Sequence, residues 1–405
     1  MRMKIYYFSY FMMIWLLCSC KSILYVVPSP LKGQVVDQLE SKMLVSPSVL
    51  DIDGYFVWGG SVVKGKDGKY HMLFSLWESG MEDGSFVKNW VLESKIGYAV
   101  SDFPDKDFEF KQIVLKGALH DGNEAAWDAQ MVHNPHLKEF NGNYYLYYIG
   151  GRDYGQEPVG STGENLNKRS RVQQSLCTGV IEFNSFEDLL VGRFERPSAP
   201  LLEPRTRVKP NNILNGSPAG TVAKPDNIIV VNPSVDYNPK TKEYFLFFKG
   251  NLYEPHWKGA HGVALGKSPL GPFVPRDEFI FDVRMPDGTI ASTEDPYVWY
   301  AKKYKQFYAV VKDFSGQLTG YKKTLALLTS KDGIQWELAE NPLFMKRELP
   351  LSDGQILEVD RLERPQLLID HRGVPTVMYA ATSIGNVNPK NDGSSFNVQI
   401  SLIKK

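Results

Sequence analysis

Apolar and polar positions alternate along this chain in short runs, and one unit of run, turn and run occurs five times. From Trp58 the chain reads WGGSVVKGKDGKYHMLFS, from His133 HNPHLKEFNGNYYLYYIGG and from Val231 VNPSVDYNPKTKEYFLFFKG. Glu294 opens EDPYVWYAKKYKQFYAVVKD, and Glu363 opens ERPQLLIDHRGVPTVMYAA. Each unit starts on a polar pair followed by Ser or Pro. An apolar run follows, then a turn of Gly, Asp, Asn and Lys, then a second apolar-aromatic run, which is the pattern of a β-hairpin. In three units a third strand follows, at 96–101, 261–268 and 325–330, each leading into a turn. The opening pairs lie roughly 63 to 98 residues apart, a spacing that suits four-stranded blades carrying large rim loops. No long stretch has sustained helical periodicity. The fold class expected is therefore all-β, a five-bladed β-propeller that closes radially because each sheet buries both faces against its neighbours.

Composition narrows the function classes. The chain has 405 residues, of which 43% are hydrophobic and 13% aromatic, enough to build a core without disulfides. Lys and Arg number 46 against 46 Asp and Glu, so the basic excess that phosphate-backbone binding requires is missing, and no nucleic-acid partner is expected. Arg2 and Lys4 precede an apolar run at 5–17 and then Leu-Cys-Ser-Cys at 17–20. That order of charge, apolar run and small residues is expected to be a secretory signal at 1–19, ending in a lipobox whose Cys20 becomes acylated. The expected organisation is signal 1–19, anchor and linker 20–50, and catalytic propeller 51–405. The expected location is the outer membrane or periplasm of a bacterium, with the lipid holding the protein to a membrane. Cys177 has a strand-like context and is expected to be a small buried residue.

In a propeller the innermost strand of each blade runs beside the central axis, so the polar pairs are expected to converge at one mouth. These are His133-Asn134, Val231-Asn232, Glu294-Asp295, Glu363-Arg364 and, in the first blade, Gly59-Gly60. Carboxylates, a His and an Arg around one pit are costly to desolvate unless they are paired or used. A second set of carboxylates lies six or seven residues upstream: Asp53, Asp128 and Asp226. Either they join the mouth or they cap the turns before the strands. Trp58, Trp77, Trp90, Trp127, Tyr154, Trp257 and Tyr297 crowd the same regions, and flat C–H faces of sugars stack on such rings. Trp127 and Trp257 are the expected pocket aromatics, with Trp58 on the floor.

The hairpin pattern, with third strands running into Ser-Asp-x-Pro at 101–104 and Ser-Pro-Leu-Gly-Pro-Phe at 268–273, resembles the five-bladed propeller glycoside hydrolases of families 43, 62, 32, 68 and 117 over about 51–403. The resemblance implies a glycosidase acting on an oligo- or polysaccharide. In family 43 it implies an Asp base in the first blade, a pKa-tuning Asp in the second and a Glu acid in the third. This chain departs in the first blade, whose pair is Gly59-Gly60, and in the second, whose pair is His133-Asn134, and family 117, with a His as acid, is the nearer analogy. Glu294-Asp295-Pro296 is also similar to a run in family 130 mannoside phosphorylases.

The expected activity is an exo-acting, inverting hydrolysis, whose two carboxylates stand ~6.5–9.5 Å apart. Glu294 is assigned as acid, Asp128 or Asp226 as base, and His133 as a group that tunes or replaces the acid. Asp53, Trp58, Trp127, Asn134, Asn232, Trp257, Asp295, Glu363 and Arg364 are assigned to substrate, with Arg364 holding a hydroxyl or carboxylate. Arg152, Lys168, Arg169, Arg171, Arg205 and Arg207 on rim loops offer selection of a uronic or sulfated sugar. The alternatives are phosphorolysis, with Lys224, Lys249, Arg152 and Arg169 as the basic groups, and a sugar-binding propeller without catalysis. No cofactor is expected. Some relatives carry a structural Ca²⁺ on the axis, which His261 or Asp295 would approach, but no clustered oxygen-ligand motif supports one here.

Overall fold

The computed structural model describes residues 24–38, 41–80, 86–210, 212–253, 258–284, 291–384 and 394–405. The expected signal, Cys20 and Trp257 lie outside the described residues. Five antiparallel sheets are arranged as the blades of a propeller, each built on one of the five repeats. Blade I pairs Tyr55–Lys64, Tyr70–Glu78, Lys95–Ser101 and Glu109–Leu115 in chain order. Blade II has Met131–Phe140, Asn143–Gly151 and Cys177–Phe183, with three strands where four were expected. Blade III has Val231–Asn238, Glu243–Leu252, Lys258–Gly266 and a two-residue edge, Val274–Pro275. Blade IV has Thr293–Ala301, Gln306–Asp313, Thr324–Ser330 and Glu337–Met345.

Blade V explains how the ring closes. Its inner strands Arg361–Ile369, Pro375–Ile384 and Ser394–Lys404 come from the end of the chain, but its outer strand is Val26–Pro28. Val49–Leu50 pairs with the same C-terminal strand, opposite Val398 and Asn397. Segment 20–50 is therefore not a linker in its described part. Its strand Val26–Pro28 covers what would be an open sheet edge, which a propeller must protect, so residues before 51 take part in the fifth blade.

The innermost strands fix the functional end. An inner strand has one ladder edge facing its neighbour blade rather than another strand, so its N–H groups need acceptors from elsewhere. Ser61 Oγ accepts from Leu137 N at 2.9 Å, His136 Nε2 from Val235 N at 2.9 Å, and Ser234 Oγ from Val298 N at 2.8 Å. The same repeat position in blades I, II and III thus ties each to the next. Burial pushes the His136 imidazole down to about 3, which keeps Nε2 a neutral acceptor.

Every inner strand is also bulged at one place. Register shifts fall at Trp58/Gly60, in the stretch of blade II between His133 and His136, at Val231/Ser234, at Glu294/Tyr297 and at Glu363/Gln366. At each bulge one residue takes a left-handed backbone: Gly59, Asn134, Asn232, Asp295 and Arg364, with φ of 52°, 50°, 56°, 54° and 50°. This corrects the sequence register of blade I. Its pair is Trp58-Gly59, not Gly59-Gly60, so Trp58 is the counterpart of His133. Gly59 adopts the bulge backbone without strain, and a Cβ there would crowd its neighbours, at 3.3 Å from Asn134 Oδ1 and 3.4 Å from Arg364 Cβ.

Candidate active site

The five bulge residues meet around the axis. Asn134 Nδ2 donates to Asn232 Oδ1 at 3.0 Å, and Asn232 Nδ2 donates to Asp295 Oδ1 at 2.8 Å. Asp295 Oδ2 accepts from Arg364 N at 3.2 Å. Together they form a polar floor. Above it opens a cavity of about 270 Å³ whose lining includes the residue preceding each bulge: Trp58, His133, Val231, Glu294 and Glu363. The volume lies just below the ~300–1,000 Å³ of typical small-molecule sites, a size for one or two sugar rings.

The two sides of this cavity differ in chemistry. One is aromatic: Trp58, Trp77, Phe86 and Trp90 line it together with His133. Phe86 and Trp90 stand four residues apart on a short helix, Phe86–Glu93, and so share a face. Phe86 packs edge-on against Trp58 with centroids 4.9 Å apart, and Trp90 stacks on the His133 ring at 4.6 Å. His133 Nδ1 lies 2.7 Å from Ser94 Oγ. Burial, reinforced by the Arg364 charge, pushes this imidazole well below its ordinary value, so it is neutral.

The other side is ionic and comes from blades III, IV and V. Glu294 pairs with Lys249 and, at 3.4 Å, with Lys312. Lys312 also lies 2.6 Å from Glu363, which has Arg361 at 3.5 Å. The arrangement follows from hairpin register: Lys312 is the cross-strand partner of Glu294, and Lys249 that of Val231. Burial alone would raise the Glu294 carboxyl, but Lys249 and Lys312 together outweigh it and hold it down at about 2. Burial raises Asp295, opposed by Arg364 and assisted by the Glu294 charge. Glu294 is a carboxylate at any ordinary pH. That fits a base or nucleophile and not the acid the sequence suggested.

Of the residues assigned from sequence, Trp58, His133, Asn134, Asn232, Glu294, Asp295, Glu363 and Arg364 line this one cavity. The upstream carboxylates do not. Asp128 is fully buried, accepts from Tyr148 Oη at 2.8 Å and pairs with Arg196 at 3.0 Å. Asp226 is equally buried and is gripped by Arg205 through Nε at 2.7 Å and Nη2 at 3.0 Å. Both fix loops to the propeller rim. Asp53 is exposed in a turn. Trp127 is core: its ring fills the space left by Gly150 and Gly179, where a Cβ would collide with it, and its Nε1 donates to Pro197 O at 3.0 Å. Phe86, Arg361, Asn251 and Lys312 were missed by the sequence reading. The cross-strand rule that places Lys249 and Lys312 is the signal that finds the lysine of that group.

Burial drives the Cys177 thiol up to about 12, so it is no nucleophile. The axis does not suit Ca²⁺, which takes about 6–8 oxygens. It offers a single carboxylate, and the Arg364 guanidinium stands 3.9 Å from it. Among the described residues no group of three or more His, Cys, Asp or Glu is placed to hold a metal ion.

No protein-family profile matches the chain, and no curated protein does either. Solved structures do. Zg3597, a family 117 glycoside hydrolase produced by the marine bacterium Zobellia galactanivorans, matches with a TM-score of 0.54 at 14% identity, over 94% of this chain and 90% of that one. A structure named simply as a glycoside hydrolase gives 0.56 at 14% identity, covering 92% of each. A thermostable family-43 glycoside hydrolase gives 0.51 at 9% identity, covering 86% and 89%. The likeness is one of fold. The chain has the five-bladed architecture of propeller glycoside hydrolases, as its hairpin pattern resembled.

Proposed function

We propose that the protein is a glycoside hydrolase that takes the end of a saccharide into the mouth of its propeller. The observation that carries this reading is the cavity's division into an aromatic side and a carboxylate side. A sugar ring has the same division, with C–H faces that stack on Trp and hydroxyls that hydrogen-bond to carboxylates and amides. The solved propellers it resembles, glycoside hydrolases by name, support the assignment. The small closed floor supports exo action, because a chain cannot run through it.

Glu294 and Glu363, on neighbouring blades, are the reacting pair in this reading. One ammonium, Lys312, touches both at 3.4 and 2.6 Å. Their bridged oxygens therefore lie no more than roughly 6 Å apart, short of the ~6.5–9.5 Å of inverting pairs. This spacing favours retention over the inversion expected from the resemblance. Glu294, held ionised, attacks the anomeric carbon as the glycosidic C–O bond breaks, and Glu363, in the molecules where a proton displaces its ion pair with Lys312 and Arg361, gives that proton to the leaving oxygen. Water then attacks the same carbon as Glu363 takes its proton back, and the bond to Glu294 breaks. His133 and Asn251 offer hydrogen bonds to hydroxyls. Cys20, as an acylated residue, would tether this activity to a membrane surface.

The experiment is a panel of aryl glycosides and oligosaccharides incubated with and without inorganic phosphate. The reading predicts release of a terminal sugar at a rate indifferent to phosphate. Phosphate-dependent release would mean phosphorolysis instead, and tight binding with no product after long incubation would leave a sugar-binding propeller.

A further inference from the structure

Arg364 carries a cost that the fold alone does not explain. The residue is 1% exposed, yet Nε, Nη1 and Nη2 have no hydrogen-bond partner among the described residues. Its left-handed backbone, φ 50°, is that of the other four bulges and needs no further account. Asp295 stands 3.9 Å from Nη1, close enough to orient the guanidinium and too far to satisfy it. A buried polar group without a partner costs free energy unless something supplies that partner. Arg364 is among the residues that line the mouth cavity, with its guanidinium nitrogens almost fully covered, so an acceptor in the cavity meets them once the side chain turns outward.

Charge identifies the acceptor. The cavity and its immediate support bring together Lys249, Lys312, Arg361 and Arg364 against Glu294, Asp295 and Glu363. Among the described residues one positive charge is in excess, and one monoanionic group balances it. The rim arginines do not compete for that role, because each has protein partners. Arg171 is paired with Asp153, Arg205 with Asp226 and Asp277, and Arg207 with the carbonyls of Gln174 and Ile228. Arg169 is spent on the carbonyls of Val87 and Lys88, and Arg152 lies over the Tyr154 ring.

We propose that Arg364 is a carboxylate-binding residue on the cavity floor, and that the sugar taken into the mouth is a uronic acid. This rests on the reading of the mouth as a sugar site and names the substrate class. The planar guanidinium offers a two-pronged match to a carboxylate, the pairing for which Arg is best suited.

The test is titration of the full protein with D-glucuronate, D-galacturonate, D-glucose, D-galactose and glucose 6-sulfate, followed by calorimetry or by the fluorescence of the cavity tryptophans. At least one uronate is expected to bind ten-fold or more tighter than its neutral counterpart, the gain of a charge-assisted hydrogen bond. Arg364→Gln should abolish the preference, and Arg364→Lys, keeping charge without the fork, should retain part of it. Thermal melting checks that both variants fold, and the preference of the unaltered protein stands as a readout if they do not. Equal affinity for acidic and neutral sugars, or no binding of any acid, overturns the proposal. A sulfated sugar outranking both uronates overturns the carboxylate assignment. Binding of a uronate without turnover of any uronide leaves Arg364 as proposed and removes the hydrolase. Cleavage of neutral glycosides alone does the reverse.

Discussion

Glu294→Gln is expected to lower turnover by about 10²–10⁴-fold while leaving the protein folded. The substitution keeps the shape of the side chain and removes its charge. Lys312 still has Glu363 at 2.6 Å, so the cluster does not fall apart. What is lost is the one cavity carboxylate that two ammonium groups hold ionised. The pH dependence carries a second mark of this. A carboxyl whose folded value is depressed contributes stability that is complete above its ordinary value of 4.5 and is lost as pH falls towards about 2. Activity that depends on ionised Glu294 should therefore show no acidic limb from this group at pH 4–5. Turnover by Glu294→Gln within a few-fold of the unaltered protein, measured on a substrate that protein cleaves, would remove Glu294 from the chemistry.

Asp226→Asn should behave in the opposite way, unfolding at lower denaturant while each folded molecule turns over substrate at the usual rate. Asp226 is completely buried and meets Arg205 through two nitrogens, and Arg205 in turn reaches Asp277 at 2.7 Å and the carbonyl of Arg276 at 2.8 Å. The substitution takes two charge-assisted hydrogen bonds from Arg205, which keeps Asp277 and is partly exposed, at a cost of about 1.5–3 kcal/mol. Loss of turnover in a protein that melts normally would return Asp226 to the catalytic role its sequence position suggests. Denaturant unfolding beside initial rates separates the two outcomes.

The contrast between these residues shows what the chain makes legible. The propeller is visible because each blade repeats an opening pair and a hairpin, with a Pro after the pair in four of the five, and four of five pairs are read in the correct register. Blade I slips by one because Trp58-Gly59-Gly60 has two glycines and no Pro to mark the bulge, and only the left-handed backbone at Gly59 settles it. Asp128 and Asp226 share an offset from their strands, which suggests a common mouth. Their arginines come 68 residues later and 21 residues earlier, on loops that carry no periodic signal. The aromatic side depends on an eight-residue helix too short to show helical periodicity, inserted between two strands of blade I. The naming of Arg364 needs only its place in the fifth pair. That its guanidinium has no hydrogen-bond partner among the described residues is a fact of packing, invisible in the sequence.

Lys312 is the centre of the account, because by touching Glu294 and Glu363 together it sets how far apart the two carboxylates stand. The most direct test is proton NMR of the product in the first moments of hydrolysis, before the sugar mutarotates. Release of the sugar with the anomeric configuration of the substrate is the predicted result. Release of the opposite anomer would contradict the direct attack assigned to Glu294.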